Sequence, residues 1–362
     1  MSTHCTGHPV RVSTTKRSDA EERFAREERA RGAQSIDSSS GSSGPDGPTD
    51  LDGAGWKDAL KRTFKGISKD NLTDWAAALT YYSVQAMFPA LLALLSIVGL
   101  LGKSTSDSLV SNVEAAAPGP ARDIVVPAIE NLQSNQGAAG IVLIVGIALA
   151  LFSASSYIGA FSRASNAIYE VPEGRPIYKL RPQQMGIALV MIVLLAFSTL
   201  AVVLTGGIAE QVGKVVGLGD TAVTVWSIAK WPVLLVVVSF MFAFLYWAAP
   251  NVKQPKFTWL SPGGILAVVV WIVASAAFAF YVASFSNYNK TYGSLGGVIA
   301  FLVWLWLTNL AVLIGAELNA ELARSKEIRE GRQVLSDDEP ILPLRDDSKL
   351  DDDDPMKGKE NV

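Results

Sequence analysis

Residues 185–207 read MGIALVMIVLLAFSTLAVVLTGG, and residues 262–285 read PGGILAVVVWIVASAAFAFYVASF. Neither stretch holds a charged side chain. A surface helix of a soluble protein breaks its apolar run every few residues with a polar face, and these two do not. Crossing about 30 Å of hydrocarbon takes about 20 residues of helix, a length both stretches reach. Working outward, four more runs of this kind follow. The predicted spans are 84–101, 138–161, 187–205, 226–249, 262–285 and 295–315. The fold class is therefore an all-α integral membrane protein, a bundle of six transmembrane helices.

The bulk composition agrees. Of 362 residues, 49% are hydrophobic and 18% charged, against about 25% charged in soluble domains. Charge collects at the two ends. The net charge of -3 offers no global basic field for nucleic acid. Cys5 is the single cysteine, so no internal disulfide forms, and the two histidines are its neighbours His4 and His8. A terminal MSTHCTGH supplies no fixed ligand geometry, so no metal or other cofactor is expected.

Residues 1–55 are rich in Ser, Gly, Pro, Arg and Glu (SIDSSSGSSGPDGPTD within them) and bury too little apolar surface to offset ordering entropy. They read as a disordered tail without a cleavable signal. Residues 331–362 read as a solvated acidic tail. Between residues 56 and 72, Trp56, Leu60, Phe64 and Ile67 alternate at helical spacing with Lys57, Lys61 and Lys65. That pattern predicts an amphipathic helix on an anionic membrane surface. Residues 104–136, interrupted by Pro118-Gly119-Pro120, form a long connection able to cap the bundle.

Local signals mark the helix starts. Ser261-Pro262 is a cap followed by Pro in the first turn, where the missing N–H costs nothing. Trp231-Pro232 reads the same way for the fourth span. Trp226, Trp231, Tyr246, Trp247, Trp259, Tyr288 and Tyr292 fit an interfacial belt. Orientation follows from the basic residues. One side holds Lys57, Lys61, Arg62, Lys65, Lys69, Arg163, Arg175, Lys179, Arg181, Lys253, Lys256, Arg324, Lys326, Arg329 and Arg332. The other holds Lys103, Arg122, Lys214 and Lys290, with Lys230 near the boundary. Both termini are expected in the cytoplasm.

Polar groups inside membrane helices are costly and often functional. Asp74 stands at the mouth of the first span, followed by Tyr81, Tyr82 and Gln85, and Pro89 should kink that helix. A bent helix with polar residues beside the bend either lines a cavity or is a packing kink. The second span carries Ser153, Ser155, Ser156 and Tyr157 before Arg163 and Asn166. Gly146, Ala150 and Ala154 in this span, and Ser275, Ala279 and Ala283 in the fifth, are small-residue stripes read as packing surfaces. Glu317 and Glu321 stand one turn apart at the end of the last span. Glu317 is expected to pair with Arg163 or another cation, as a structural ion pair or in proton coupling.

Three stretches resemble the YihY/BrkB family, once labelled ribonuclease BN. They are DNLTDWAAALTYYSVQAMFPALLAL at 70–94, SRASNAIYEVPEGRPIYKLRP at 162–182, and YGSLGGVIAFLVWLWLTNLAVLIGAELNAEL at 292–322. The last includes Tyr292-Gly293 and ends in Gly-Ala-Glu-Leu-Asn, so Asn319 joins Glu317 as a candidate. The resemblance implies a bacterial inner-membrane protein that transports or exports envelope lipids. It does not cover the two tails. The ribonuclease label fits the residues poorly. RNA hydrolysis wants clustered carboxylates or histidines around a metal, or a histidine as general acid–base, and residues 9–362 hold no histidine.

The leading expectation is a transporter or flippase-like exporter of a lipid-linked or amphipathic molecule, with membrane lipids as partners. The alternative is a non-transporting membrane scaffold that uses its tails to recruit envelope machinery, and a membrane-bound ribonuclease is the third reading. No nucleic-acid partner is expected.

Overall fold

Seven long helices account for nearly all of the computed structural model, which describes residues 53–100, 126–127, 136–203, 220–254, 261–284, 294–329 and 342–350. They are α1 (Gly53–Lys69), α2 (Leu72–Leu100), α3 (Gln136–Ile168), α4 (Ile177–Val203), α5 (Asp220–Ala248), α6 (Pro262–Ser284) and α7 (Ser294–Arg329). Helices α2 to α7 each contain a stretch long and apolar enough to cross a membrane, giving six spans. Within these stretches only 6% to 28% of the residues are buried inside the chain. A soluble surface could not carry that much exposed Leu, Ile, Val and Phe; in a bilayer it is the lipid-facing wall.

Packing runs in pairs. Helix α2 lies along α3, α6 along α7, and α4 against α3 and to a lesser extent α5, while α7 also touches α1, α2 and α3. Small residues set the closest approaches. A Cβ at Gly146 would stand 3.1 Å from the Ala93 backbone nitrogen, so the stripe on α3 does meet α2. Of the stripe expected on α6, Ser275 accepts the Trp304 N–H of α7 at 3.2 Å while Ala279 is exposed, so the stripe is not where the two helices come closest. Instead α6 crosses α7 at Gly263 and Gly315, each of which would drive a Cβ into the other's carbonyl oxygen.

The helix boundaries correct several expectations. Helix α2 already begins at Leu72, ahead of the span predicted from residue 84, and α7 continues to Arg329, past the span predicted to 315. Polar side chains at both ends turned the apolar count away from segments whose backbone is helical throughout. Pro232 sits well inside α5, which starts at Asp220, so it is no first-turn proline. Helix α2 runs unbroken through Pro89, where the Gln85 carbonyl lacks its usual N–H partner. Ser261, by contrast, caps α6 as its sequence indicates. The Gly264 N–H donates to Ser261 Oγ at 3.0 Å and the Ile265 N–H to the Ser261 carbonyl at 3.1 Å.

Helix α1 is helical as its pattern indicates, but its packing face is the small one. Gly55, Ala59, Thr63 and Gly66 are buried, with Ala59 against Leu318 and Leu322 of α7. Phe64 is 72% exposed and Leu60 also faces outward, beside exposed Lys57, Lys61 and Lys65. That leaves an apolar and basic face free for lipid.

Part of the acidic C-terminal stretch is docked rather than solvated. Leu342 and Leu344 are buried, and Leu344 bridges Val252 in the α5–α6 connection. The Lys253 N–H donates to the Pro343 carbonyl at 2.8 Å and the Lys349 N–H to the Gly174 carbonyl at 2.9 Å. Its composition is acidic, but Leu342, Leu344 and Leu350 give it apolar anchors. The rest of that tail, nearly all of residues 1–55, and the 104–136 connection apart from residues 126–127 and 136 lie outside the described residues.

Candidate functional site

At one end of the bundle, the α1–α2 corner, the end of α3 and the end of α7 meet. We call this end the base. The α1–α2 corner turns on Asn71, which holds a left-handed φ of 52°, a conformation Asn tolerates better than most residues. Helix α3 ends on Glu170, also left-handed at φ 57°. The Val171 N–H closes back onto the Asn166 carbonyl at 2.9 Å, a helix ending that usually uses glycine. Glutamate here is strained, and its carboxylate is what the site uses.

Lys69 Nζ donates to Glu170 Oε1 at 2.6 Å, and Arg324 Nη2 donates to Glu170 Oε2 at 2.9 Å. Arg62 Nε donates to Glu321 Oε2 at 2.5 Å, and its Nη2 bonds Ser325 Oγ. Arg324 Nε also lies 3.8 Å from Glu321 Oε1. The result is a line of alternating charge from α1 through α3 to α7. Hydrogen bonding to Glu170 holds the Lys69 ammonium above its ordinary pKa.

Beside that line, Glu317 is 2% exposed. It lies over Gly66, where a side chain would collide with its Oε1. Burial holds the Asp70 carboxyl, at the α1–α2 corner, above its ordinary pKa. Glu317 Oε2 has no partner at all. The expected pairing with Arg163 does not form, because Arg163 is exposed on the far side of α3. Asp74 is exposed too, in the first turn of α2, where an acid suits the helix N-terminus. Asp70, four residues before Asp74, is half-buried at the corner. The amphipathic pattern over residues 56–72 runs through this position without marking it.

The Gly-Ala-Glu-Leu-Asn run of α7 divides its labour by helical spacing. Gly315 and Asn319, one turn apart, face α6. Asn319 Oδ1 accepts the Gly263 N–H at 2.9 Å, and its Nδ2 donates to Ser261 Oγ at 3.3 Å. Glu317 and Glu321 face α1. A single turn of helix therefore fixes α6 on one side and holds the charged cluster on the other.

Other candidates separate. Asn166 is buried and structural: its Nδ2 donates to Glu173 Oε2 at 3.0 Å, and its Oδ1 accepts the Asn251 N–H at 2.8 Å. Glu173 in turn holds the buried Arg175 through two side-chain bonds of 2.7 Å. Tyr81 is exposed and packs edge-on to Tyr82 at 5.3 Å between centroids, and Pro89 is half-buried. Tyr292 and Gly293 lie outside the described residues. One group escaped the sequence reading entirely. Asn309, within the α7 span, donates to Thr80 Oγ1 of α2 at 3.1 Å and accepts from the Tyr157 hydroxyl of α3 at 3.0 Å. A lone amide in VWLWLTNLAVLIG was the available signal.

Among the described residues no three His, Cys, Asp or Glu side chains are grouped so as to hold a metal ion. The fold and this site define a multi-pass helical membrane protein with a charged cluster at one end of its spans. The Virulence factor BrkB family matches residues 63–338, and the chain belongs to this YihY/BrkB family of bacterial inner-membrane proteins. The chain is 32% identical over 269 residues to the ribonuclease-like protein YfkH of Bacillus subtilis (strain 168), covering 74% of this chain and 96% of that protein. It is also 32% identical over 261 residues to a UPF0761 membrane protein of Alkalilimnicola ehrlichii, covering 68% of this chain and 54% of that protein. A UPF0761 membrane protein of Azoarcus sp. (strain BH72) is 26% identical over 276 residues, 74% of this chain and 64% of that protein. No solved structure matches the chain. The docked segment 342–350 lies beyond the matched region.

Proposed function

We propose that this protein moves a lipid or lipid-linked amphipathic envelope component across the inner membrane, with α1, the base and both termini on the cytoplasmic side. The observation that carries the reading is the polar lining of α7 toward α2 and α3. Asn309, Thr80 and Tyr157 meet inside the spans, and Glu317 is buried toward the base. Intramembrane polar groups usually mark a substrate path or a relay. Their sparseness suits a substrate that keeps its apolar part in the bilayer and needs polar contacts for its head alone. Basic residues at the base, among them Arg62, Lys69, Arg175 and Arg324, support the orientation.

The reading is tested by reconstituting wild type, Asn309→Leu and Glu317→Ala into liposomes and following a fluorescent lipid. The variants should lose most of the movement at equal folded yield. A second reading, a membrane scaffold, draws on the docked C-terminal segment, which the matched family region does not include. Removing residues 331–362 separates the two: a transporter keeps its lipid movement, whereas a scaffold shows none to begin with and loses its cellular effect.

A further inference from the structure

We propose that Lys230 binds the phosphate of an anionic phospholipid head at the end of the spans away from the base, with the lipid's chains against Trp231. That this lipid is also the cargo rests on the transport reading; the binding site itself does not.

Lys230 lies inside the α5 span, which runs from Thr224 to Ala248. Six residues of helix, about 9 Å, separate it from the start of that span. Leu234, Val237, Met241 and Leu245, which follow it at helical spacing, are buried or half-buried, whereas Ile228, Trp231 and Leu235 are exposed. Lys230 therefore stands on the stripe that α5 turns toward the bundle, and it is 5% exposed. A lysine that only snorkels keeps its ammonium in water; this one is covered.

A charge in such a place needs an opposite charge or hydrogen-bond acceptors. Among the described residues, the Lys230 ammonium makes one contact, with a ring: its Nζ stands 5.4 Å from the Trp231 centroid. A ring face offers only a partial negative charge, and it leaves the three N–H donors of the ammonium without an oxygen acceptor. The described carboxylates lie on the base side, at the opposite end of the spans, except for Asp220. Asp220 begins α5 ten residues away, about 15 Å along the helix axis.

The membrane supplies the anion. Trp231 is 63% exposed on the lipid-facing wall, so the ammonium lies one ring away from the surface that acyl chains touch. At the head of those chains is a phosphate, whose oxygens accept N–H donors in strong charge-assisted bonds. Phosphatidylcholine and phosphatidylethanolamine carry a cation of their own that competes with Lys230 for this phosphate. Phosphatidylglycerol carries none, so the site selects anionic heads.

The test uses full-length protein in phosphatidylcholine vesicles that contain a fixed fraction of brominated phosphatidylglycerol or brominated phosphatidylcholine. Brominated chains quench tryptophan on contact, and the Trp231 signal is the difference between Trp231 and Trp231→Phe in each background. At equal fraction, phosphatidylglycerol should occupy the site about tenfold more favourably than phosphatidylcholine, the effect of one charge-assisted contact. Lys230→Gln should remove that preference and Lys230→Arg should keep it, with Lys230→Met used if Lys230→Gln yields no folded protein. Equal quenching by the two lipids in wild type, or a preference that survives in Lys230→Gln, overturns the proposal. A preference abolished by inorganic phosphate in the buffer also overturns it, since the ligand is then a free anion. Lipid movement without the preference overturns the site alone and leaves the transport reading standing. The preference without lipid movement upholds the site and overturns the transport reading.

Discussion

Replacing Gly315 by alanine adds one methyl group where α6 crosses α7. The new Cβ would overlap the Gly263 carbonyl oxygen, lie 2.5 Å from the Tyr246 hydroxyl and stand 2.8 Å from Ala267 Cβ. Backbone on one side and packed side chains on the other leave no room, so α6 must move. Overpacking of this kind costs about 1–3 kcal/mol. The shift also strains two bonds across the contact: Gly263 N–H to Asn319 Oδ1 at 2.9 Å, and the Tyr246 hydroxyl to the Val312 carbonyl at 2.7 Å. In membranes such bonds average about 0.6 kcal/mol each. Alanine's better helix propensity returns about 0.5–1 kcal/mol. The net expectation is a loss of about 1.5–3.5 kcal/mol, combining these ranges. Gly186, within α4, has nothing within 4 Å of its would-be Cβ, and Gly186→Ala should be neutral or slightly stabilising. Unfolding both variants in mixed micelles with increasing SDS gives the comparison. If Gly315→Ala unfolds at the same SDS fraction as wild type and Gly186→Ala, the close crossing is wrong.

Three further outcomes follow from the same contacts. Ser261→Ala removes the acceptor of the Gly264 N–H and should cost about 0.5–2 kcal/mol in the SDS assay; no change would mean that the cap carries no weight. In a Cys5→Ser background, Val252→Cys should be shielded from a water-soluble maleimide while residues 342–350 are docked, and become reactive when residues 342–362 are removed. The third concerns acid. The Lys179 ammonium and Ser348 outweigh the effect of burial and hold Asp346 down to about 2. A carboxyl depressed on folding contributes stability that is complete above its unfolded value of about 3.9 and disappears as pH falls through the folded value. The difference in thermal stability between wild type and Asp346→Asn should therefore be constant at neutral pH and close between about pH 4 and pH 2.

The spans were legible because lipid demands an all-apolar run of fixed length, and 185–207 and 262–285 satisfy that rule without reference to any neighbour. The Ser261 cap was legible for the same reason: its partner is local. The seating of Glu317 over Gly66 was not, since it joins residues far apart in the chain, and no periodicity marks it. Arg163 looked like the natural cation for Glu317, but helix α3 turns it outward, and only the packing of α3 on α2 fixes that rotation. Amphipathic spacing located α1 but did not mark Ala59 and Gly66 as the residues that pack against α7. Apolar side chains seek the core in water, whereas beside a bilayer Leu60 and Phe64 stay outside while Ala59 and Gly66 allow close contact. The docked 342–350 segment was hidden by its own acidic composition.

The most direct measurement is movement of a fluorescent phospholipid between leaflets of vesicles containing the purified full-length protein. Transport predicts that the inner-leaflet lipid becomes accessible to a membrane-impermeant quencher in wild-type vesicles, and that Asn309→Leu and Glu317→Ala suppress this at equal protein density. Vesicles that stay half-protected across several lipid headgroups, as empty vesicles do, would contradict the account.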